Sequence, residues 1–270
     1  MEHRLFDPAN PPEWLDPEWW IDTPNCDHLA HPAGVHRARI YTVAGIALEL
    51  FSLGLVRDAV DMGAGDGAVL WRLMSQTSGD IAGRAWGYEI IKDSVRIARE
   101  ERGVDVRRAD VVANRVFGAD RGLGVPGLNW ADLVICTEML EHLADPHAWA
   151  RTMAVNVHVN AAQNRNGWLI ASSPWRETEY RHEANHAWTW DMRGYKEMLT
   201  AAGWFVIQTL EVEWSQVVLA CRRPDGAAQL QAARDAALED RYPLLADPDP
   251  EVRADAAEMV EALRPHLETP

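Results

Sequence analysis

The sequence predicts an α/β fold: a mostly parallel sheet with helices on both faces and an antiparallel last strand. Three observations predict it. Short apolar runs alternate with stretches of helical periodicity between residues 56 and 222. The first of these runs ends in a glycine cluster that opens a helix. The last two stand side by side and read as a closing hairpin.

Taken in order, residues 1–34 are rich in Pro, Trp and His and read as an irregular, aromatic-anchored lead-in. From Val35 to Leu53 the residues Ile40, Val43, Ala44, Ala47, Leu50 and Phe51 recur at helical spacing. Residues 59–63 (AVDMG) form a first strand, and Val69, Leu70, Leu73 and Met74 mark the helix after it. A strand at 84–90, a charged helix at 92–102 and a strand at 104–110 follow. A loop with four Gly and one Pro then leads to a fully buried strand at 132–138 and a helix from Pro146 to Val159. The fifth strand, 167–173, is stopped by Pro174. After a long polar loop come a helix near 192–202 and the hairpin of 204–210 with 216–221. Beyond Pro224 the chain is rich in Ala, Asp and Glu, with two short helical patterns around YPLLADPDP. This divides the chain into a lead-in and helix (1–55) on the substrate side, a central domain (56–222) and an acidic helical tail (223–270).

Bulk properties narrow the class of function. With 41 acids against 26 bases, the net charge of −15 opposes a generic polyphosphate binder, and no DNA partner is expected. Arg107 and Arg108 form a local basic feature. Cys26, Cys136 and Cys221 are odd in number and far apart, which argues against a disulfide framework or zinc knuckle and suits a reducing cytoplasm. The opening MEHRLFDPAN lacks the basic-then-apolar layout of a secretion signal, and no apolar run approaches the roughly 18 residues of a membrane span. A cytoplasmic location is the expectation. Most of the 13 Trp serve packing, while those in loops offer flat walls for a substrate.

The densest motif is VDMGAGDG, with Asp61, Gly63, Ala64, Gly65, Asp66 and Gly67 between a strand and a helix. Glycines let the backbone turn sharply and let a ligand approach it. As Gly-x-Gly-x-x-Ala the string matches a dinucleotide fingerprint. As Asp-x-Gly-x-Gly-x-Gly it suits a ligand carrying both an ammonium and a carboxylate. Charge favours the second reading, because a pyrophosphate sits badly beside Asp61 and Asp66. Glu89 ends the second strand, 22 residues after Gly67, where an acid accepts both ribose hydroxyls. Asp110 ends the third strand, placed to accept from an adenine amino group, and Ile90 and Val111 would pack on the adenine faces.

VDMGAGDG, GYEI, RAD and DLVICTEMLEHL resemble, in order and spacing, the motifs of class I S-adenosylmethionine-dependent methyltransferases. The resemblance covers roughly residues 56–222. It implies a Rossmann-like, seven-stranded sheet, S-adenosylmethionine as cofactor, and a cofactor pocket that Thr137 and Glu138 also line.

After the fourth strand, Glu138, Glu141 and His142 fall at i, i+3 and i+4, on one face if the chain turns helical there. Two carboxylates and an imidazole can hold a divalent cation, Mg or Mn for an oxygen-rich set, with His182 or His186 completing it. The grouping, with HAWTW from His186 to Trp190, resembles the small-RNA 3′-terminal 2′-O-methyltransferases. That resemblance implies Glu138, Glu141, His142 and His186 as metal ligands and an RNA 3′ end as acceptor. Similar strings also stand in methyltransferases without a metal, where Glu138 lines the cofactor pocket and His142 packs locally. Both readings stay open here. A hydroxyl acceptor needs a base or a metal, for which His142, His186 and Glu141 are the candidates. No Asn/Asp-Pro-Pro-Tyr string follows the fourth strand, which argues against adenine amino-group methylation.

The expected activity is O-methylation of a small-molecule or terminal-sugar hydroxyl, with an RNA 3′ end or a catalytically silent partner subunit as the alternatives. Ser173, Pro174 and Trp175 offer a substrate-side wall. His28, His31 and His36 read as surface residues or as part of a lid, and the tail as a solvated helix pair or an oligomerisation element.

Overall fold

Strand β1 (Glu2–Arg4) and helix α1 (Pro17–Trp20) open the chain, followed by α2 (Arg37–Ser52). The alternation then runs β2 (Ala59–Met62), α3 (Ala68–Ser75), β3 (Ala85–Glu89), α4 (Lys92–Glu100), β4 (Val106–Asp110), β5 (Arg115–Val116), β6 (Leu133–Thr137), α5 (Pro146–Asn156) and β7 (Trp168–Pro174). It closes with β8 (Trp188–Trp190), α6 (Met192–Ala201), β9 (Phe205–Val212), β10 (Ser215–Cys221) and α7 (Gly226–Arg241). The computed structural model of the chain describes residues 1–23, 36–77, 81, 83–113, 115–116, 131–157, 159, 165–178, 180–241 and 254.

The main sheet has the order β5-β4-β3-β2-β6-β7-β10-β9. From β4 to β7 every neighbour is parallel, while β10 is antiparallel to both β7 and β9. This is the mostly parallel, seven-stranded Rossmann-like sheet that the sequence implies, with a two-residue antiparallel edge, β5, added beside β4. Burial explains the strand compositions. β2 and β10 are buried at every position, as strands covered on both faces must be, whereas the edge strand β9 is exposed or half-buried throughout. Local chemistry sets the helix starts. Asp145 caps α5 by accepting from the Ala148 N–H at 2.8 Å, with Pro146 at its first position, and Asp191 caps α6 through the Gly194 N–H at 2.7 Å.

Three expectations need correcting. The lead-in is not irregular throughout: β1 pairs antiparallel with β8, Glu2 opposite Trp190, and Asp16 caps α1. Pro174 ends β7 from inside, opposite Ser215, rather than stopping it from outside. The segment after β6 does not turn α-helical. Glu138 takes a left-handed φ of 51° and a 3-10 turn covers Leu140–His142, so the three residues are not stacked on one helix face.

The chain divides into two compact units, Met1–Gly226 and Ala227–Pro270. The boundary falls four residues beyond the expected 222/223 break. Most of α7 belongs to the second unit; the second helical pattern of the tail, and Cys26, His28 and His31, lie outside the described residues. Among the described residues no helix is long and apolar enough to cross a membrane.

Candidate active site

The glycine loop is sewn onto the neighbouring strand: the N–H groups of Gly63 and Ala64 both donate to the Tyr88 carbonyl at 2.9 Å. Its turn requires left-handed backbone, with φ of 75° at Gly63, 53° at Gly65 and 76° at Gly67. Space is as restrictive as angle. A Cβ on Gly67 would stand 2.6 Å from Val104 Cγ2, and one on Gly63 2.9 Å from Met139 Sδ.

Glu89 clamps the loop from the end of β3. Its Oε2 accepts the Gly65 N–H at 2.8 Å, and its Oε1 accepts those of Ile90 and Ile91 at 2.7 and 2.8 Å. Asp110, at the end of β4, accepts from Val112 and Ala113 at 3.0 and 2.9 Å. A cavity of about 640 Å³ opens against these groups. The loop positions 63–66 line it, as do Glu89 and Asp110 with the residues after each, Ile90 and Val111, and then Thr137 and Glu138.

Asp61 and Gly67 are not on the cavity wall. Asp61 is almost wholly buried with both carboxylate oxygens unpartnered, and burial, reinforced by the nearby Glu89 charge, pushes its pKa up to about 8. Asp66 lines the cavity yet is tied on its other side to Arg102, whose guanidinium bonds both its carboxylate and, at 2.6 Å, its carbonyl. The expected ring of loop carboxylates is therefore one neutralised acid and one paired acid. Arg107 is likewise engaged, by Asp105 at 2.7 Å.

His142 also lines the cavity, and with Glu141 and His186 behind it forms a group in which each residue offers one ligand atom within 4.8 Å of the others. The Ala187 N–H donates to the Glu141 carbonyl at 2.6 Å, and His142 Nδ1 bonds the Asn185 carbonyl at 2.9 Å, so the loop before β8 is laced to the 3-10 turn. His186 Nδ1 bonds Glu177 Oε2 at 2.6 Å. The rings of His142 and His186 meet edge to face at 4.7 Å, and Trp20 of α1 packs on His142 at 5.1 Å. Glu141 is fully buried and neither of its oxygens has a hydrogen-bond partner; burial first, and then Glu138, hold its pKa well above the carboxylate range. Burial, and then the neighbouring His186, push the His142 pKa down to about 3. An imidazole so resistant to protonation is a poor general base and stays neutral, the form in which it ligates metals.

Glu138 stands outside this group. Arg39 of α2 pairs with its Oε2 at 3.1 Å, and the Ser172 hydroxyl donates to its Oε1 at 2.8 Å. The fourth metal ligand expected from the sequence is thus committed to α2 and β7. Arg39 is a site residue that sequence reasoning missed, although it continues the apolar stripe of Val43 and Ala47 at four-residue spacing and is itself buried. Trp20, Asn185 and Glu177 were missed as well. None shows a periodicity or motif, since each reaches the site from a loop or a single helical turn. His182 is exposed on that loop, its Nδ1 turned to the Glu183 carbonyl.

Residues 35–209, more than half of the chain, match the family described as methyltransferase domain. The fold is similar to that of an S-adenosylmethionine-dependent methyltransferase from Aquifex aeolicus, at 16% identity and a TM-score of 0.50, over 77% of this chain and 99% of that one. It is also similar to the CurJ carbon methyltransferase, at 10% identity and a TM-score of 0.52, over 76% of this chain and 57% of the other. The methyltransferase domain of bacterial CtHen1-C aligns less closely, at 14% identity and a TM-score of 0.47, over 69% and 98%. No curated protein sequence matches. By family and by fold, this chain belongs to the methyltransferase domain family.

Proposed function

We propose that the protein transfers the methyl group of S-adenosylmethionine to a hydroxyl of a small molecule or terminal sugar, with a divalent cation held by Glu141, His142 and His186. One observation carries the reading. A fully buried carboxylate with two unpartnered oxygens adjoins two histidines whose Nδ1 atoms are both engaged elsewhere. Burying such a group costs several kcal/mol (roughly 2–7) unless something compensates it. A cation does so. Two imidazoles and one carboxylate favour Mn or a similar transition ion over Mg.

The donor end of the cavity suits the cofactor. Glu89 lines it with a carboxylate, an acceptor-only group of the kind a ribose hydroxyl donates to, and Ile90 and Val111 offer apolar faces for a base. A bound cation would lower the pKa of an acceptor hydroxyl. The chain's own part is positional: Trp20 and Leu15 wall the acceptor end, and the loop of Glu89 and Gly65 sets the donor end. Transfer is an in-line displacement, so the enzyme gains chiefly by holding the two ends aligned and dry.

Calorimetry with S-adenosylhomocysteine, with and without Mn²⁺, tests the pocket, and labelled S-adenosylmethionine incubated with a metabolite extract or with small RNA tests the acceptor. The expected result is cofactor binding, a Mn²⁺ response lost in Glu141→Ala and His186→Ala, and label in small molecules. Label in RNA 3′ ends would select the RNA reading instead. Cofactor binding with no transfer to either pool would select a silent subunit.

A further inference from the structure

Resting on that assignment of the Glu141, His142 and His186 group, we propose that Glu177 is its positioning residue. Glu177 holds the His186 ring as the Nδ1–H tautomer and so makes Nε2 the lone-pair nitrogen offered to the group. No sequence motif marks Glu177, and it does not line the cavity.

The geometry carries the argument. Glu177 Oε2 lies 2.6 Å from His186 Nδ1, with 16% of one side chain and 8% of the other exposed. A carboxylate only accepts, so the proton between them belongs to Nδ1. In a neutral imidazole that leaves the lone pair on Nε2. The carboxylate is held from its other side too, since its Oε1 accepts the Glu183 N–H at 3.1 Å. A short turn locks the same loop: Thr178 and Arg181 exchange N–H···O bonds at 3.0 and 3.1 Å, and the His186 N–H donates to the Glu183 carbonyl at 3.1 Å. Glu177 is therefore fixed by backbone bonds that do not depend on a bound ion.

His142 shows the same solution by other means. Its Nδ1 donates to the Asn185 carbonyl at 2.9 Å, which leaves its Nε2 with the lone pair. Two rings 4.7 Å apart thus have the same nitrogen tied and the same nitrogen free, beside the unpartnered Glu141 carboxylate. With the opposite tautomer, His186 would turn an N–H towards a place that needs a lone pair. Metal-binding histidines are generally oriented by such an outer carboxylate, whose loss weakens metal affinity about 10–100-fold.

The test reads the tautomer first, in the metal-free full-length protein, by ¹⁵N-histidine NMR. His186 is expected as Nδ1–H in the native protein and in Glu177→Gln, whose amide oxygen still accepts. In Glu177→Ala the Nε2–H form should become populated. His142 is the internal control, because its backbone partner is untouched and its tautomer should not move in either variant. Titration with Co²⁺, followed by its visible absorption, is then expected to show affinity about 10–100-fold weaker in Glu177→Ala and largely rescued in Glu177→Gln. A native His186 found as Nε2–H would overturn the proposal, as would an Ala variant with unchanged tautomer and unchanged Co²⁺ affinity. If Co²⁺ fails to bind the native protein while the tautomer shifts as expected, the cation fails and the positioning role stands.

Discussion

At Asp61 burial outweighs charge. The side chain is all but inaccessible and its pKa is raised from 3.8 to about 8, burial first and Glu89 second, so the folded protein carries it protonated at neutral pH. The unfolded chain releases that proton at ordinary acidity. Between about pH 4 and 8 the unfolded state therefore binds fewer protons, and stability must fall as pH rises, by up to about 1.4 kcal/mol per unit. Asp61→Asn lacks this titration. In urea unfolding, native and variant should converge near pH 4, apart from a constant offset, and the variant should gain on the native steadily towards pH 8; a constant difference would refute it. Arg39 presents the opposite case, a buried cation with a defined partner. Arg39→Met strands Glu138 and should cost about 3 kcal/mol, while the double variant with Glu138→Gln should recover most of that. Glu89 and Asp110 were legible as acids at strand ends, because strand ends can be read locally. The pairing of Arg39 with Glu138, or Glu177 with His186, was not, since it depends on which distant segments the fold brings together.

Elements follow the same division. The long alternating stretch yielded its strands and helices from periodicity alone, because four or more apolar residues in register leave a pattern. β1, β5 and β8 have three, two and three residues and leave none, and they form only because a partner strand is already in place. The short β1–β8 pair matters to the site, since the Leu5 N–H donates to the Ala187 carbonyl at 2.8 Å, next to His186. The 3-10 turn at Leu140–His142 defeated a helical reading because one residue, Glu138 at φ 51°, rotates all that follows. The loop from β2 to α3 was legible because glycines announce left-handed backbone. That loop, set against the turn that follows α2, allows a paired prediction. Gly54, at φ 69°, has nothing within 4 Å of the place a methyl would occupy, so Gly54→Ala incurs only backbone strain, about 1 kcal/mol. Gly67→Ala incurs similar strain at φ 76° and also drives a methyl to 2.6 Å from Val104 and 3.0 Å from Ala98. It should cost a further 1–3 kcal/mol, roughly, and weaken S-adenosylhomocysteine binding. Thermal unfolding and calorimetry on the pair check this, and equal losses would show that space around Gly67 does not matter.

Over the whole molecule, charge and partition bear on the acceptor. The whole chain carries a net charge of −15, while Leu15, Trp20 and Leu143 are among the residues that line the cavity. An RNA chain would have to approach through that field, and its binding would depend steeply on salt as counterions are displaced. A small uncharged acceptor enters without that cost. Turnover on such an acceptor should therefore change less than about twofold between roughly 50 and 300 mM NaCl, whereas a salt dependence of an order of magnitude or more would point to a polyanion. The second unit sharpens the test. Among the described residues, every cavity-lining residue and all of Glu141, His142, Glu177 and His186 belong to Met1–Gly226, and none comes from the acidic segment that begins at Ala227. A chain ending at Gly226 should bind S-adenosylhomocysteine with an unchanged Kd and turn over a small acceptor at an unchanged rate. If the acceptor were polyanionic, removing so many acids would instead raise its affinity, most strongly at low salt. A truncated chain that loses cofactor affinity would show that the tail completes the site, and the division of labour between the two units would have to be abandoned.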